Sequence, residues 1–380
     1  MGRSRDGDVT NPARKLIPWW WMEPGREVAD AARDAVLAHR VSMGPTVAQL
    51  ESALAKWLDV PHVVAVGSGA AALTTALLAL GIGRGDEVVV PGLTFVATAN
   101  AVLLTGASPV VVDVESTTRA TIDPRAVKRA LTDRTRAIIA VHPNGRAARL
   151  TELAAIAASR GIPLVEDAAQ AMGSRIHGRQ LGTIGDIGCY SMSMTKLLAT
   201  GEGGYCVTSD RALAEAMRRI RNQGAENVSK GRFASFGFNF RLTDVQAAMG
   251  LAQIGRIESR QEALLALHRR YRSEMKALKA VRLRRVKLER GELPLWIEAE
   301  CERRDELIRH LRRRGIQAKP LDPPLDRVAH LKVTNPLPCA RRVWEVGVIL
   351  PGGPDRTDAE LERVFRALRE FDAATARHGD

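Results

Sequence analysis

The sequence offers no apolar run long enough to cross a bilayer, few lysines in its middle third, and cysteines too scattered to build a site. Each shortage excludes something. Residues 63–83 and 88–112 carry no charge, yet glycine interrupts both stretches. Pro91, Asn100 and several threonines also fall where a spanning helix of about 20 apolar residues would have to be continuous. No membrane attachment is expected. Cys189, Cys206, Cys301 and Cys339 have neither metal-ligand nor paired spacing, so the expectation is no metal and reduced thiols in a cytoplasmic protein. There is no internal repeat or low-complexity tract. The opening residues are charged, with no apolar stretch behind them, so a secretory signal is not expected. Asn227-Val228-Ser229, a glycosylation sequon on paper, then has no compartment in which to act.

What is present is charge of one sign. A formal +13 over 380 residues fits nucleic acid, an anionic substrate or a generally basic proteome. Part of the excess sits in short runs within helical segments, Arg269-Arg270-Tyr271-Arg272 and Arg312-Arg313-Arg314, without zinc-finger spacing or an RNA-binding signature. These read as solvated helix faces, and no nucleic-acid partner is expected. The length suggests two or three domains and permits a large core.

Against this arginine background, Lys196 is the only lysine between Lys128 and Lys230. Unlike arginine, a desolvated lysine can lose its proton and act as an amine nucleophile or Schiff-base former. It follows Ser191-Met192-Ser193-Met194-Thr195 and precedes the glycine turn Gly201-Glu202-Gly203-Gly204. A solvated surface lysine is the alternative. Upstream, the apolar run Ile162-Pro163-Leu164-Val165 ends in Glu166-Asp167-Ala168-Ala169-Gln170, as a buried strand ends at an active-site rim, which would project Asp167 into a cleft. Val63-Val64-Ala65-Val66, then Gly67-Ser68-Gly69, then Ala70-Ala71-Ala72-Leu73 reads as strand, glycine turn and helix start. Free N–H groups and the positive helix end make such a turn a phosphate cradle.

From Asp86 to Thr208, β-branched runs alternate with amphipathic segments. Residues 87–90, 109–114, 137–141, 163–166, 188–192 and 204–207 read as strands, and 97–104, 124–131 and 150–160 as helices. This implies an α/β fold with a mostly parallel sheet covered by helices on both faces. Helices are then expected over 243–254, 257–278, 304–314 and 358–371, with 295–297 strand-like, as a smaller C-terminal α+β domain. Pro320, Pro323 and Pro324 mark a loop within it. The resulting division is a loose tail over 1–16, an N-terminal segment and large cofactor-binding domain over 17–256, and a small domain over 257–380.

An anion cradle, an acidic partner for a ring nitrogen and a Schiff-base lysine together describe a pyridoxal 5'-phosphate site. Six segments, in order, resemble the DegT/DnrJ/EryC1/StrS aminotransferases, which aminate keto-sugars and related keto-cyclitols. They are Gly67 to Leu73, Gly85-Asp86-Glu87-Val88, Pro91 to Asn100, Glu166 to Gln170, Lys196 with Gly201 to Gly204, and Gly237-Phe238-Asn239-Phe240-Arg241. The resemblance implies a fold-type I pyridoxal phosphate enzyme in which Lys196 holds the cofactor and shuttles protons. Asp167 would pair with the pyridine nitrogen, Gln170 with the phenolic oxygen, and Phe95 with the ring face. Gly69, Ala70 and Ser191 would take the phosphate, joined by Asn239, with Arg241 beside it, from the neighbouring subunit of a homodimer with shared active sites. A strand-end aspartate, a helix-surface amide, a core phenylalanine and a turn asparagine are the bland alternatives, and Glu202 reads as structural.

The chain departs from the family at Ala70, in place of the commoner threonine, and at Met172, where many members have histidine. His142-Pro143-Asn144-Gly145-Arg146 replaces a tyrosine-glycine segment, and Lys319-Pro320-Leu321-Asp322-Pro323 lacks an aromatic. Trp19, Trp20 and Trp21 could form a stacking wall at the site or a buried anchor. The expected partners are small molecules: glutamate or glutamine as amino donor and a cyclic ketone, nucleotide-linked or free, as acceptor. Altered chemistry at the cofactor, by oxidation or elimination, and a non-catalytic regulatory role are the other readings.

Overall fold

The computed structural model describes residues 16–227 and 230–376. The expected tail therefore lies, apart from Leu16, outside the described residues, as do Val228 and Ser229 of the sequon. Seven strands form the main sheet: β1 (His62–Val66), β2 (Glu87–Pro91), β3 (Ser108–Val112), β4 (Thr135–Val141), β5 (Leu164–Asp167), β6 (Ile187–Ser191) and β7 (Gly204–Thr208). Their order across the sheet is β1-β7-β6-β5-β4-β2-β3. Alternation along each strand explains the two covered faces. Val63, Ala65, Val89, Ile138 and Ala140 enter one core, whereas Val64, Val66, Val88, Val90, Ala137 and Ile139 enter the other.

All neighbours are parallel except at β7, which runs antiparallel to both β6 and β1. The cause is the connection. A parallel return needs a crossover of a dozen or more residues, usually helical, and the segment from Met192 to Gly203 forms turns with no helix, so β7 returns directly. That helix-free connection carries Lys196.

A second, four-stranded antiparallel sheet is built from β8 (Arg282–Leu283), β9 (Ile297–Glu300), β10 (Lys319–Pro320) and β11 (Gly347–Leu350), in the order β8-β9-β11-β10. The loop expected at Pro320 is corrected here: Lys319 and Pro320 pair with Ile349 and Val348 as an edge strand, a position where proline's missing N–H is tolerated. The sheet packs on Ile17, Leu267, Tyr271, Leu307, Leu361 and Phe365. The helix Ile257–Glu274 spans two cores, with Ile257 and Leu264 in the main-sheet core and Leu267 and Tyr271 in the smaller one. Among the described residues no helix is long and apolar enough to cross a membrane.

The helix Pro45–Leu58, which leads into β1, begins after Gly44 and has no local side-chain cap. Asp244 supplies one from 200 residues away: Oδ1 accepts the Gly44 and Val47 N–H groups at 3.0 Å each, and Oδ2 accepts the Thr46 N–H at 3.3 Å and its hydroxyl at 2.9 Å. Replacing Asp244 by alanine should destabilise the fold by about 2–4 kcal/mol, since several buried donors lose their acceptor. Asp244→Asn, which keeps one acceptor oxygen, should cost roughly half as much. Denaturant unfolding of the three proteins checks this; identical midpoints would show that the cap is idle.

Candidate active site

The carboxyl ends of β2, β4, β5 and β6 open on a cavity of about 410 Å³, closed on its far side by residues of the smaller sheet. Open parallel sheets place ligand sites at this edge. Asp167 is the last residue of β5 and Ser191 the last of β6, and the helix Gly69–Ala79 starts beside them. Side chains alternate at the end of β5. Glu166 is wholly buried behind the cavity wall, while Asp167, its neighbour, lines the cavity.

Glu166 anchors that wall. Its carboxylate accepts the backbone N–H groups of Gly182 at 2.8 Å, Ile184 at 2.6 Å and Gly185 at 2.6 Å, and its Oε2 lies 2.9 Å from His142 Nε2. His142 Nδ1 accepts the Ala148 N–H at 3.1 Å, so Nε2 carries the proton given to Glu166. Burial pushes the Glu166 carboxyl up, but the His142 and backbone hydrogen bonds outweigh it and hold the group below its ordinary range. The carboxylate form therefore contributes stability above the unfolded-state value, and that contribution is lost as acid protonates it.

Asp167 has the opposite balance. Burial raises its carboxyl, opposed by a 2.8 Å hydrogen bond from Thr98 Oγ1, a 3.2 Å bond from the Ala169 N–H and the charge of Lys196. Because the Thr98 proton goes to Asp167, Thr94 Oγ1 donates in turn to Thr98 at 2.8 Å. Lys196 reaches the same cavity. Its Nζ stands 5.0 Å from the centre of the Trp296 ring. Surrounding protein lowers its pKa from 10.5 to about 8, with Asp167 and Asp322 opposing the shift and Lys319 adding to it. The turn bearing it is clamped from behind, where Arg260 donates to the Leu197 carbonyl at 3.1 Å and Gln253 to the Ala199 carbonyl at 2.7 Å.

The other end of the cavity is a helix N-terminus. Ser68 Oγ caps the Ala71 N–H at 3.0 Å, leaving the N–H groups of Gly69 and Ala70 on the first turn toward the cavity. Glycine is required at 69 because a Cβ there would stand 2.9 Å from Ser191 Cβ. Gln170 is oriented by Asn144, whose backbone N–H donates to Gln170 Oε1 at 2.8 Å, so the amide presents its NH₂ to the cavity. The Asn144 side chain exchanges two hydrogen bonds with the Trp296 backbone, at 2.7 and 3.0 Å, and so ties the end of β4 to the smaller sheet. Its φ of 49° is left-handed, a conformation asparagine tolerates better than most residues. Gly145 follows at φ 76°, with the Leu293 carbonyl 1.9 Å from where a Cβ would be.

Gly69, Ala70, Phe95, Asp167, Gln170, Ser191 and Lys196 thus share one cavity. Phe95 is 55% exposed, a ring edge of the cavity rather than core. Asn239 is not brought there; it lies exposed and accepts the Arg241 Nε–H at 2.7 Å. Of the tryptophans, Trp19 lines the cavity and Trp20 is in the core, so the wall and anchor readings fall to successive residues of one extended segment. Of the positions that depart from the family, Met172 is buried in the main core and Pro320 is exposed on its edge strand, whereas Lys319 and Asp322 line the cavity. Glu202 borders the cavity, and its carbonyl accepts from Thr200 and Gln246. Sequence reading missed Thr98, Trp296, Lys319 and Asp322. The spacing of Thr94 and Thr98, four residues apart, was the one local hint; the other three reach the cavity only through the second sheet.

The residues suit pyridoxal phosphate on their own chemistry: N–H donors at one end, a buried carboxylate lacking a full cationic partner at the other, and a desolvated amine alongside. Lys196 in the folded protein carries a charge that burial disfavours, a cost complete below pH about 8 and gone once the unfolded chain also deprotonates near 10.5. Lys196→Met should therefore raise the melting temperature of the cofactor-free protein at pH 7, with the gain shrinking between pH 8 and 10.5. A lower melting temperature at pH 7 would contradict the desolvated amine.

Residues 24–369 match the model of the DegT/DnrJ/EryC1/StrS aminotransferase family. The chain is 35% identical to GDP-perosamine synthase of Caulobacter vibrioides over 86% of its length and 90% of that protein. It is 34% identical to the dTDP-3-amino-3,4,6-trideoxy-alpha-D-glucose transaminase of Streptomyces venezuelae, covering 93% of this chain and 96% of that one. The structure of S. venezuelae DesV in complex with a ketimine intermediate superposes with a TM-score of 0.87 at 33% identity, covering 94% and 98% of the two chains. The chain belongs to the DegT/DnrJ/EryC1/StrS aminotransferase family and is an aminotransferase.

Proposed function

We propose that the chain uses pyridoxal 5'-phosphate to transfer an amino group from glutamate or glutamine to a small polyhydroxylated cyclic ketone, a keto-sugar or keto-cyclitol of specialised metabolism. The observation that carries this reading is the placement of Lys196 and Asp167 in one cavity with a helix N-terminus beside them. When bound, the cofactor supplies an electron sink for a carbanion at the substrate carbon. The chain's own residues do the rest. The N–H groups of Gly69 and Ala70 and the Ser191 hydroxyl hold a phosphate at the positive helix end. Asp167, which burial leaves short of a positive partner, keeps a ring nitrogen protonated, and Thr98 fixes the carboxylate. The Gln170 NH₂ donates to the phenolic oxygen, its own oxygen being engaged by Asn144. Phe95, at the cavity edge, would lie against the ring face. Lys196 would hold the cofactor through its amine and would accept a proton from the donor's α-carbon. A pKa of about 8 leaves part of the amine unprotonated near neutrality, which that role needs.

Acceptor class is supported by the relatives' nucleotide-linked sugar names and by an excess of arginine suited to phosphate. A homodimer with shared sites is supported by Asn239, which is absent from its own chain's cavity, and by exposed Met194, Phe233 and Phe236. The partner's copy of this asparagine would complete the phosphate site.

Borohydride reduction of the yellow holoprotein, followed by peptide mapping, should place the cofactor on Lys196; label on another lysine would overturn the assignment. Asp167→Asn should slow turnover about 10²–10³-fold, as expected for loss of an electrostatic partner at the reacting system. Mixing Lys196→Ala and Asn239→Ala subunits should restore activity, because one site of each mixed dimer is whole. A fully active monomer excludes sharing. Keto-sugars, keto-cyclitols and linear keto acids offered to the aminated cofactor form test the acceptor, and reaction with linear keto acids alone would defeat it.

A further inference from the structure

Beside the cavity lies a recess of about 40 Å³ that shares Thr94, Phe95, Gln170, Trp296 and Asp322 with it. It has room for about three water-sized groups. Two arginines from distant segments line it, Arg146 after β4 and Arg284 after β8, and each is only 4% exposed. Arg146 donates through Nε to the Arg285 carbonyl at 3.0 Å and through Nη1 to Glu298 at 2.6 Å. Arg284 donates through Nη1 to Glu300 at 2.6 Å and through Nη2 to the Thr117 carbonyl at 2.9 Å, while its Nε stays 3.7 Å from Glu298.

Three buried donors around this recess remain without a protein acceptor: Arg146 Nη2, Arg284 Nε and Trp296 Nε1. The surplus is all of one kind. A hydroxyl brings a proton of its own and needs an acceptor in return, whereas a carboxylate only accepts and has about four lone-pair sites for such donors. Guanidinium groups match its planar geometry. Glu298 and Asp322 also line the recess, each turned to a cation of the chain, Glu298 to Arg146 and Asp322 to Lys319.

We propose that the recess is a carboxylate subsite of the cavity, in which Arg146, Arg284 and the Trp296 indole grip an acidic group of the amino donor or of an acidic ketone acceptor. The proposal rests on the aminotransferase reading for the identity of those two substrates, though the carboxylate binding itself does not.

The full-length protein, with and without pyridoxal phosphate, would be titrated calorimetrically with glutarate and with its neutral diamide, glutaramide. Two variants probe the recess. Trp296→Phe removes one N–H and keeps a ring, and the pair Arg146→Met with Glu298→Leu removes a buried ion pair as a unit while Arg284 keeps its ion pair with Glu300. Glutarate should bind at least about tenfold more tightly than glutaramide, and each variant should weaken glutarate about tenfold, the loss of one charge-assisted or buried hydrogen bond. Pyridoxal phosphate affinity should change less than about twofold on the same scale. Unchanged glutarate affinity in both variants, or equal losses for glutaramide, would overturn the subsite. Steady-state KM assigns the source: a rise for glutamate marks the donor, and a rise for keto acids but not neutral keto-sugars marks the acceptor. If no KM moves, the subsite is refuted for catalysis. Should pyridoxal phosphate fail to attach to Lys196 while glutarate binding behaves as expected, the functional reading falls and the subsite stands.

Discussion

The buried carboxylate of Glu166 is the constraint on which the site depends. It gathers three backbone N–H groups from the turn before β6 and the imidazole of His142 from the end of β4. The His142 N–H in turn donates to the Asp167 carbonyl at 3.1 Å, so the carboxyl ends of β4 and β5 are locked side by side. A group so fully removed from water is tolerable only when its acceptor sites are filled. Filling them fixes Asp167, the next residue, on the opposite face.

From that anchor the order spreads outward. His142 Nδ1 takes the Ala148 N–H and folds the intervening segment back on itself, and at its apex Asn144 grips both Gln170 and the Trp296 backbone. One asparagine thereby orients a cavity-lining amide and joins the two sheets. On the opposite wall, Arg260 and Gln253 hold the turn that carries Lys196. Rigid support is what lets an amine remain in a setting that disfavours its charge, a local cost offset by packing elsewhere.

Strand and helix placement was largely legible because hydrophobic period is a local signal. The main-sheet strands fall within about two residues of their sequence positions, ordinary scatter for element ends. The edge strand Lys319–Pro320 was not legible, since two residues carry no period and proline argues for a loop. The helices Arg26–Leu37 and Pro45–Leu58 also went unread, the second because its cap comes from Asp244 rather than from a neighbouring residue. Local capping rules cannot register a donor set satisfied across 200 residues.

By itself the sequence determined the α/β alternation, the strand-end position of Asp167, the glycine turn ahead of Ala70 and the isolation of Lys196 among arginines. These follow from residue type and near neighbours. Only the tertiary structure decided which distant residues share the cavity. Trp296, Lys319 and Asp322 join it because the second sheet packs across the carboxyl ends of the first, and Met172 leaves it because its side chain turns into the core. Arg146 and Arg284 become neighbours for the same reason, each sharing Glu298 of β9. Such meetings depend on how apolar faces 100 or more residues apart are buried together, and no local pattern in the chain encodes that closure.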